Sequence, residues 1–464
     1  MRTPARAALR AVTVVVACLA VAVPTALPAG ADEVRDREYW LDDYGITEAW
    51  RSTQGEGVTV AVIDSGVDGT HPDLVGAVVG GTDVSGAGDP DGQRGIGEVT
   101  GHGTLVATLL AGRGHAPEEP DADTPTPSGG ATSAPSQRPE LFSEYGIGPD
   151  GVAGVAPKAS LLAVSLWIEG QNSGPNPGGV SVDEQIPTAV RWAVDNGADV
   201  INMSLGSTST AWPESWDEAF LYAEKNDVVV VAAAGNRAGG LAQVGAPATI
   251  PGVLAVAGLD RSGVASTEAS SEGISVAVAA PSENLVGGLP GGFYAEWSGT
   301  SAAAPLVSGV AALIRSKYPE LSAAEVVNRI VDTSRDAGAP GFDTLYGFGV
   351  LDVEAAVSDG VTVPQESRLG SMAEWIQIYR RGGQEPTPTP TPEGEPPPEP
   401  DVIPVPPAPQ AEDPATPAHN LPALVVLGFG GLMLVVLVGG AAHVVRVRRR
   451  PVTVTDDTPG PSSS

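Results

Sequence analysis

The chain has 464 residues, including 59 glycines and 43 prolines, and its formal net charge at pH 7 is −31. A chain this acidic repels phosphate groups, which excludes nucleic acid and anionic membrane surfaces as its main partners. Apolar residues make up 42% of the sequence, enough for a folded core, so a chain that is disordered throughout is also excluded.

The first 31 residues have the pattern of a secretory signal peptide. Three arginines precede the apolar stretch Ala11–Val23, and small residues suited to cleavage end at Ala31. We therefore expect cleavage after Ala31. The single cysteine, Cys18, lies in this segment, so the mature chain is expected to have no disulfide, thiolate metal site or cysteine nucleophile.

Residues 32–57 form a short N-terminal extension before the first predicted strand. This extension is shorter than the roughly 40 residues that an independent domain needs without disulfides or metals. It nevertheless contains Trp40 and Trp50, and such apolar residues do not suit a free tail. We expect the extension to stay attached and to pack against the domain that follows.

Between residues 58 and 360, short apolar runs rich in β-branched residues alternate with helical segments. The runs lack in–out alternation, which predicts parallel strands covered on both faces. The expected fold class is α/β, with a mostly parallel sheet between helices, interrupted by a low-complexity surface insertion at 117–138. The predicted strands are Val58–Ile63, Leu161–Leu166, Asp199–Leu205, Val228–Ala233, Val253–Ala257 and Ile274–Ala279, and the predicted helices include Val182–Asn196, Ser215–Lys225 and Ala302–Lys317.

The C-terminal part of the chain predicts a membrane anchor. Residues 361–420 are expected to be a linker and a proline-rich stem, because Pro386–Asn420 has 14 prolines in 35 residues and favours an extended polyproline helix. Residues 421–445 predict a transmembrane helix, since Leu421–Ala442 is free of charge and long enough to cross a bilayer. Four arginines follow, which predicts a cytoplasmic tail at 446–464 and an extracytoplasmic α/β domain.

Three polar residues in separate motifs, Asp64, His102 and Ser301, each have an ordinary structural explanation. Asp64 ends the first predicted strand, where a turn former is common, and Ser301 opens a helix, where serine is a frequent N-cap. Together, however, they follow the order Asp, His, Ser of a known catalytic triad. A serine hydroxyl needs a base, and the base needs an orienting anion. The sequence therefore predicts Ser301 as nucleophile, His102 as general acid–base and Asp64 as the anion.

The other four histidines do not compete with His102 for the role of base. His71 is only seven residues from Asp64 and has the surroundings of a turn residue. His115 adjoins the insertion, and the remaining two lie in the stem and at the membrane edge. Of the five histidines, His102 is therefore the one expected to act as the general base.

The motifs that contain these residues resemble the signature blocks of the subtilisin-like serine peptidases: Asp64-Ser65-Gly66, Gly101-His102-Gly103-Thr104 and Gly299-Thr300-Ser301-Ala302-Ala303-Ala304-Pro305. The resemblance implies a three-layer subtilisin-like fold and hydrolysis of peptide bonds through an acyl-enzyme.

Two further segments are similar to functional segments of that family. Ala232–Asn236 resembles its oxyanion-hole segment, which implies that the Asn236 side chain and the Ser301 backbone N–H bind the developing oxyanion. Ser204, Leu205 and Gly206 resemble the strand edge on which the family binds its substrate; a simple strand end is the alternative.

Subtilases often bind structural calcium. Asp83, Asp89 and Asp91 lie in a glycine-rich loop and offer oxygen ligands, but they lack the spacing of an EF-hand. Solvated loop aspartates are the alternative, so we assign no metal and no other cofactor.

The overall anatomy resembles one branch, the mycosins, which are membrane-anchored subtilases of type VII secretion. The shared features are the extension with Trp40 and Trp50, the motif around His102, the stem and the anchor. The chain differs in having no cysteine after Cys18 and in having Ser65 where threonine is common.

The sequence thus predicts a membrane-anchored, extracytoplasmic serine endopeptidase that acts on proteins or peptides. Two alternatives stay open. One is a mycosin-type component of a type VII secretion system, and the other is a catalytically silent surface protein that binds peptides.

Overall fold

The computed structural model describes residues 31–116, 145–168 and 173–380. The predicted signal peptide up to Gly30, the insertion at 117–138, the proline-rich stem, the predicted transmembrane helix and the predicted tail lie outside these residues. Within the described residues, no helix combines the length and the apolar character that a membrane crossing requires.

The strands of the described residues are β1 (Thr59–Asp64), β2 (Val78–Asp83), β3 (Arg113–His115), β4 (Asp150–Ala153), β5 (Ser160–Ser165), β6 (Val200–Met203), β7 (Val229–Ala233), β8 (Leu254–Leu259), β9 (Val276–Pro281), β10 (Leu285–Leu289) and β11 (Phe293–Trp297). The helices are α1 (Ala31–Arg35), α2 (Trp40–Asp43), α3 (Ile46–Ala49), α4 (His102–Ala111), α5 (Val182–Asp195), α6 (Glu214–Lys225), α7 (Thr300–Lys317), α8 (Ala323–Thr333), α9 (Val353–Val357) and α10 (Met372–Trp375). A short 3₁₀ turn covers Pro72–Leu74, and a π-helical turn covers Ile376–Arg380.

Seven strands form one parallel sheet in the order β2-β5-β1-β6-β7-β8-β9. The helices α4 and α7 pack together on the sheet, and α5 and α6 form a second packed pair that also contacts it. The central strands are buried along almost their whole length, as expected of a parallel sheet covered by helices. The predicted α/β fold with a mostly parallel sheet is confirmed.

The predicted strands match six of the seven strands of this sheet, with ends that shift by one or two residues. The last one begins at Val276 and not at Ile274, whose side chain is 86% exposed. The edge strand β2 was not predicted, because it contains two glycines and is only partly buried. The hairpin of β10 and β11 was also not predicted.

The N-terminal extension packs into the domain. Trp40 is fully buried, and the indole N–H of Trp50 donates to the Val155 carbonyl oxygen at 2.8 Å. Arg35 and Glu38, also buried, form an ion pair of 2.8 Å, and Glu38 accepts from the Ala153 N–H at 2.9 Å. The extension therefore contributes a buried ion pair that is hydrogen-bonded to β4, and it also adds apolar side chains to the core.

The described chain beyond residue 360 also contacts the domain. The Asn328 side chain donates to the carbonyl oxygens of Pro364 and Glu366 at 2.8 and 2.7 Å. Further along the chain, the ring of Trp375 packs against that of Trp212, with ring centroids 4.6 Å apart. Part of the segment 361–420, which the sequence predicts to be a linker and stem, thus lies against the α/β domain.

The ion pair of the extension can be tested by substitution. We expect Glu38→Gln to lower the free energy of unfolding by about 3–5 kcal/mol, because it removes one charge of a buried ion pair and leaves the charge of Arg35 buried. Glu48→Gln is the matched control, since Glu48 pairs with Arg51 at the surface and such pairs contribute about 0–1 kcal/mol. Denaturant unfolding measures both. If both variants lost the same amount of unfolding free energy, this result would contradict the packing of the extension described above.

Candidate active site

Asp64 is the last residue of β1 and His102 is the first residue of α4, so both lie at the carboxyl edge of the sheet. The Asp64 side chain is fully buried, and its Oδ1 accepts from His102 Nδ1 at 2.8 Å and from the Ser65 N–H at 2.7 Å. Because the carboxylate accepts at Nδ1, the neutral imidazole carries its proton there and Nε2 is the basic nitrogen.

Opposing influences set the pKa of His102. Burial disfavours the charged imidazolium, whereas the negative charge of Asp64 and its hydrogen bond favour it. Burial is the largest single influence, but the charge of Asp64 and its hydrogen bond together outweigh it, so the pKa of His102 is raised above its ordinary value. Asp64 therefore fixes the tautomer of His102 and also makes it a stronger base.

The close approach of α4 to β1 depends on glycine at position 103. A Cβ atom on Gly103 would lie 2.2 Å from the Gly66 carbonyl oxygen, so a larger residue would push α4 away from the end of β1. The Gly103 N–H also donates to the Ser65 hydroxyl at 3.1 Å. The small residue next to His102 thus allows the histidine to reach Asp64.

Ser301 lies at the same edge of the sheet, in the first turn of α7. The N-cap of this helix is Gly299, so an N-capping role for Ser301 does not apply. The Ser301 hydroxyl donates to the Ser204 carbonyl oxygen at 3.1 Å, and the Ser204 hydroxyl donates to the Ser301 carbonyl oxygen at 2.8 Å. This reciprocal pair ties the segment after β6 to the start of α7.

A buried chain of hydrogen bonds, which was not predicted from the sequence, supports this pair. The Ser308 hydroxyl donates to Asn202 Oδ1 at 2.9 Å, and Asn202 Nδ2 donates to the Ser204 hydroxyl at 3.0 Å. Asn202 is fully buried in the otherwise apolar strand β6. A single amide in such a strand was the available signal, because buried polar groups need partners.

Asn236 lies three residues after β7 and is oriented by Thr300. Its Oδ1 accepts from the Thr300 N–H at 2.8 Å and from the Thr300 hydroxyl at 3.0 Å. Since a backbone N–H can only donate, these bonds determine which end of the amide is oxygen. The NH2 group then lies beside Gly299, 3.0 Å from where a Cβ atom of that residue would be. The role of Thr300 was not predicted, because nothing local in the sequence indicates it.

Ser204, Leu205 and Gly206 follow β6 directly and become progressively more exposed. Ser204 is buried, Leu205 is partly buried and Gly206 is exposed. The segment thus rises from the sheet to the surface at the edge that also holds His102 and Ser301.

The three loop aspartates considered as calcium ligands are bonded to protein donors. Asp83 accepts from the hydroxyls of Ser85 and Ser165 at 2.7 and 2.8 Å. Asp89 pairs with Arg94 at 2.8 Å, and Asp91 accepts from a backbone N–H. Across the described residues, no cluster of histidine, cysteine, aspartate and glutamate side chains is arranged to hold a metal ion.

Comparison with known proteins places this site in a family. The subtilase family model matches residues 55–349. Subtilisin DY of Bacillus licheniformis is 36% identical over 309 residues, which cover 65% of this chain and 92% of that protein. Fervidolysin of Fervidobacterium pennivorans is 30% identical over 349 residues, which cover 70% of this chain and 44% of that protein.

Solved structures give the same result. MycP1 of Mycobacterium smegmatis superposes with a TM-score of 0.55 and 27% identity, covering 74% of this chain and 90% of that one. MycP3, a protease of the type VII (ESX-3) secretion system, superposes with a TM-score of 0.53 and 30% identity, covering 73% and 92%. Because the family match spans the parallel sheet and the edge that carries the site, the chain belongs to the subtilase family and is a subtilisin-like serine peptidase.

Proposed function

We propose that this chain is a membrane-anchored, extracytoplasmic serine endopeptidase whose catalytic triad is Asp64, His102 and Ser301. The observation that carries the proposal is the 2.8 Å hydrogen bond between the buried Asp64 carboxylate and His102, at the edge of the sheet where Ser301 lies in the first turn of α7. A pair of this kind orients a histidine as the base for a serine hydroxyl.

In the proposed reaction, His102 Nε2 takes the proton of the Ser301 hydroxyl while Oγ attacks the carbonyl carbon of the scissile bond. For this step the hydroxyl turns from the Ser204 carbonyl towards His102. His102 then gives the proton to the leaving amine, and the acyl group remains as an ester on Ser301. A water molecule, deprotonated by His102, hydrolyses the ester and restores the serine hydroxyl.

Two donors would bind the oxyanion that develops on the carbonyl oxygen. The first is the Ser301 N–H, which belongs to the first turn of α7 and has no acceptor within the helix. The second is the NH2 group of Asn236, whose orientation Thr300 fixes. Both act at the N-terminus of an 18-residue helix, which favours negative charge. Loss of one such donor typically lowers kcat by about 10²–10³.

The substrate would bind as an extended peptide beside Ser204, Leu205 and Gly206. This segment continues from β6 to the surface. A peptide that adds a strand to it gains backbone hydrogen bonds, and these form with almost any peptide sequence. The peptide would then pass the Ser301 hydroxyl, which already contacts the Ser204 backbone.

The proposed location rests on the sequence at both ends of the chain and on the structural neighbours. The signal-peptide pattern, the proline-rich stem and the uncharged stretch Leu421–Ala442 support export followed by anchoring. The likeness to MycP1 and MycP3 supports a mycosin-like role in type VII secretion as a more specific form of the same proposal. A catalytically silent peptide-binding protein is not favoured, because all three triad residues are present.

The role of Ser301 can be tested with a fluorophosphonate, which labels an activated serine. We expect Ser301→Ala to abolish labelling and peptide hydrolysis while the protein remains folded, because the change removes the nucleophile and little else. Ser316→Ala is the matched control: this residue lies later in α7 and its hydroxyl donates to the Glu56 carbonyl oxygen. Labelling that persists in Ser301→Ala would remove Ser301 as the nucleophile.

The pH dependence tests the pairing of Asp64 with His102. Only neutral His102 acts as a base, so activity should fall as the pH drops through a pKa that lies above the ordinary value of about 6.5. Asp64→Asn removes the charge that raises this pKa, so the acidic limb of kcat/KM should move to lower pH while kcat falls by about 10⁴. Asp359→Asn, a surface change, serves as control. An acidic limb that stays in place in Asp64→Asn would refute the pairing.

The anchor can be tested on intact cells. Protease added outside should cut within Pro386–Asn420, because an extended proline-rich stem is open to cleavage, and should release an active fragment that still labels at Ser301. A chain truncated after Asn420 should appear in the medium without added protease. If the cleaved fragment stays with washed membranes, the anchor lies elsewhere.

A further inference from the structure

The hairpin of β10 and β11 contacts His102 and leads along the chain to Ser301. Its second strand ends at Trp297, four residues before Ser301. The Trp297 ring lies edge-on to the His102 ring, with centroids 5.6 Å apart. In the first strand, the Gly288 N–H donates to the Thr108 hydroxyl of α4 at 2.9 Å. A shift of this hairpin would therefore change the surroundings of His102 and Ser301 together.

His71 holds the hairpin by its backbone. It is fully buried, and its Nδ1 accepts from the Asp73 N–H at 3.2 Å, so the proton of the neutral ring lies on Nε2. Nε2 then donates to the Phe293 carbonyl oxygen at 3.3 Å. Burial lowers the pKa of His71 in spite of the opposing charge of Asp73, which keeps the ring in this neutral form. The turn residue expected from the sequence is thus a buried contact of β11.

Asp73 holds the hairpin by a side chain. Its buried carboxylate accepts from the Tyr294 hydroxyl at 2.9 Å, from the Val152 N–H at 2.8 Å and from His115 Nδ1 at 2.6 Å. Burial and the negative charge of Asp73 raise the pKa of Tyr294, so the phenol keeps the proton that it donates. Hydrogen bonds to a buried carboxylate are about twice as strong as neutral ones. Tyr294 is therefore fixed in place firmly.

Tyr294 also packs against His71, with ring centroids 5.3 Å apart and the rings perpendicular. The three side chains of His71, Asp73 and Tyr294 form one cluster, here called the hairpin clamp. The clamp fixes β11 at Phe293 and Tyr294, and the same strand delivers Trp297 to His102 three residues later.

We propose that the hairpin clamp positions His102 and Ser301 relative to each other through β11. The inference rests on the proposed triad, and the clamp residues are positioning residues because they act through Trp297 and residues 298–300. Precise placement matters here, since the Ser301 hydroxyl has to turn from Ser204 to His102 before it can react. A misplacement of about 1 Å in a reacting pair can cost about 100-fold in rate.

A purely stabilising role of the clamp predicts a different result. In that case, loss of the Tyr294 hydroxyl would lower the free energy of unfolding but leave the turnover of each folded molecule unchanged. Loss of the Tyr294 hydroxyl would then also leave kcat unchanged in a protein that already carries Trp297→Ala. Kinetics per active site, combined with a double-mutant cycle, therefore distinguish the two roles.

The experiment compares Tyr294→Phe, Trp297→Ala and the double variant in the full chain, with active sites counted by complete fluorophosphonate labelling. We expect Tyr294→Phe to lower kcat by about 10- to 100-fold with KM nearly unchanged. The double variant should be no slower than Trp297→Ala alone, because both changes break the same route to His102. Tyr318→Phe is the matched control, since it also loses a hydroxyl that donates to a carboxylate, Asp359 at 2.7 Å.

An unchanged kcat in Tyr294→Phe, or additive losses in the double variant, would overturn the positioning role. If Tyr294→Phe does not fold, Asp73→Asn keeps the shape of the side chain and is measured in the same cycle with the same expectation. Failure of the unmodified protein to react with the fluorophosphonate is a separate outcome, which would remove the proposed triad and the clamp's role with it.

Discussion

The site depends on the burial of one negative charge. The Asp64 carboxylate lies at the end of a buried strand without exposure to water, and a charge in that position is stable only where donors reach it. The Ser65 N–H and the His102 ring supply them. His102, at the start of α4, must therefore lie close to the end of β1, and the next residue must be small enough to approach the Gly66 carbonyl oxygen.

Parallel strands then bring distant parts of the chain to the same edge of the sheet. The end of β1 carries Asp64, the end of β6 leads to Ser204 and the end of β7 leads to Asn236. Hydrogen bonds join the last two to the start of α7, through the reciprocal pair of Ser204 and Ser301 and through Thr300. The loops after β6 and β7 are thus both hydrogen-bonded to one helix, which makes their arrangement less dependent on the strands alone.

The sequence predicted the parts of this structure that leave a local pattern. The buried strands appear as apolar runs, and Asp64, His102 and Ser301 appear in short motifs with glycine beside them. The contacts of Asn202 with Ser308 and of Thr300 with Asn236 join residues more than 60 positions apart, so no local pattern reveals them. The hairpin was missed because β11 has a single buried residue, Ala295, and shows neither a buried apolar run nor an in–out alternation. The signal peptide, stem and membrane helix remain predictions.

The pairing of β3 with β4 fixes the two ends of the long segment that connects these strands. Arg113 lies opposite Ala153 and His115 opposite Asp150, so the two ends of the long intervening segment are held side by side. The entropy lost on closing a loop grows only with the logarithm of its length, by about 0.6 kcal/mol for each doubling. A change in the length of the segment between residues 117 and 144 therefore alters the entropy of loop closure only slightly, because β3 and β4 hold its two ends together whatever that length.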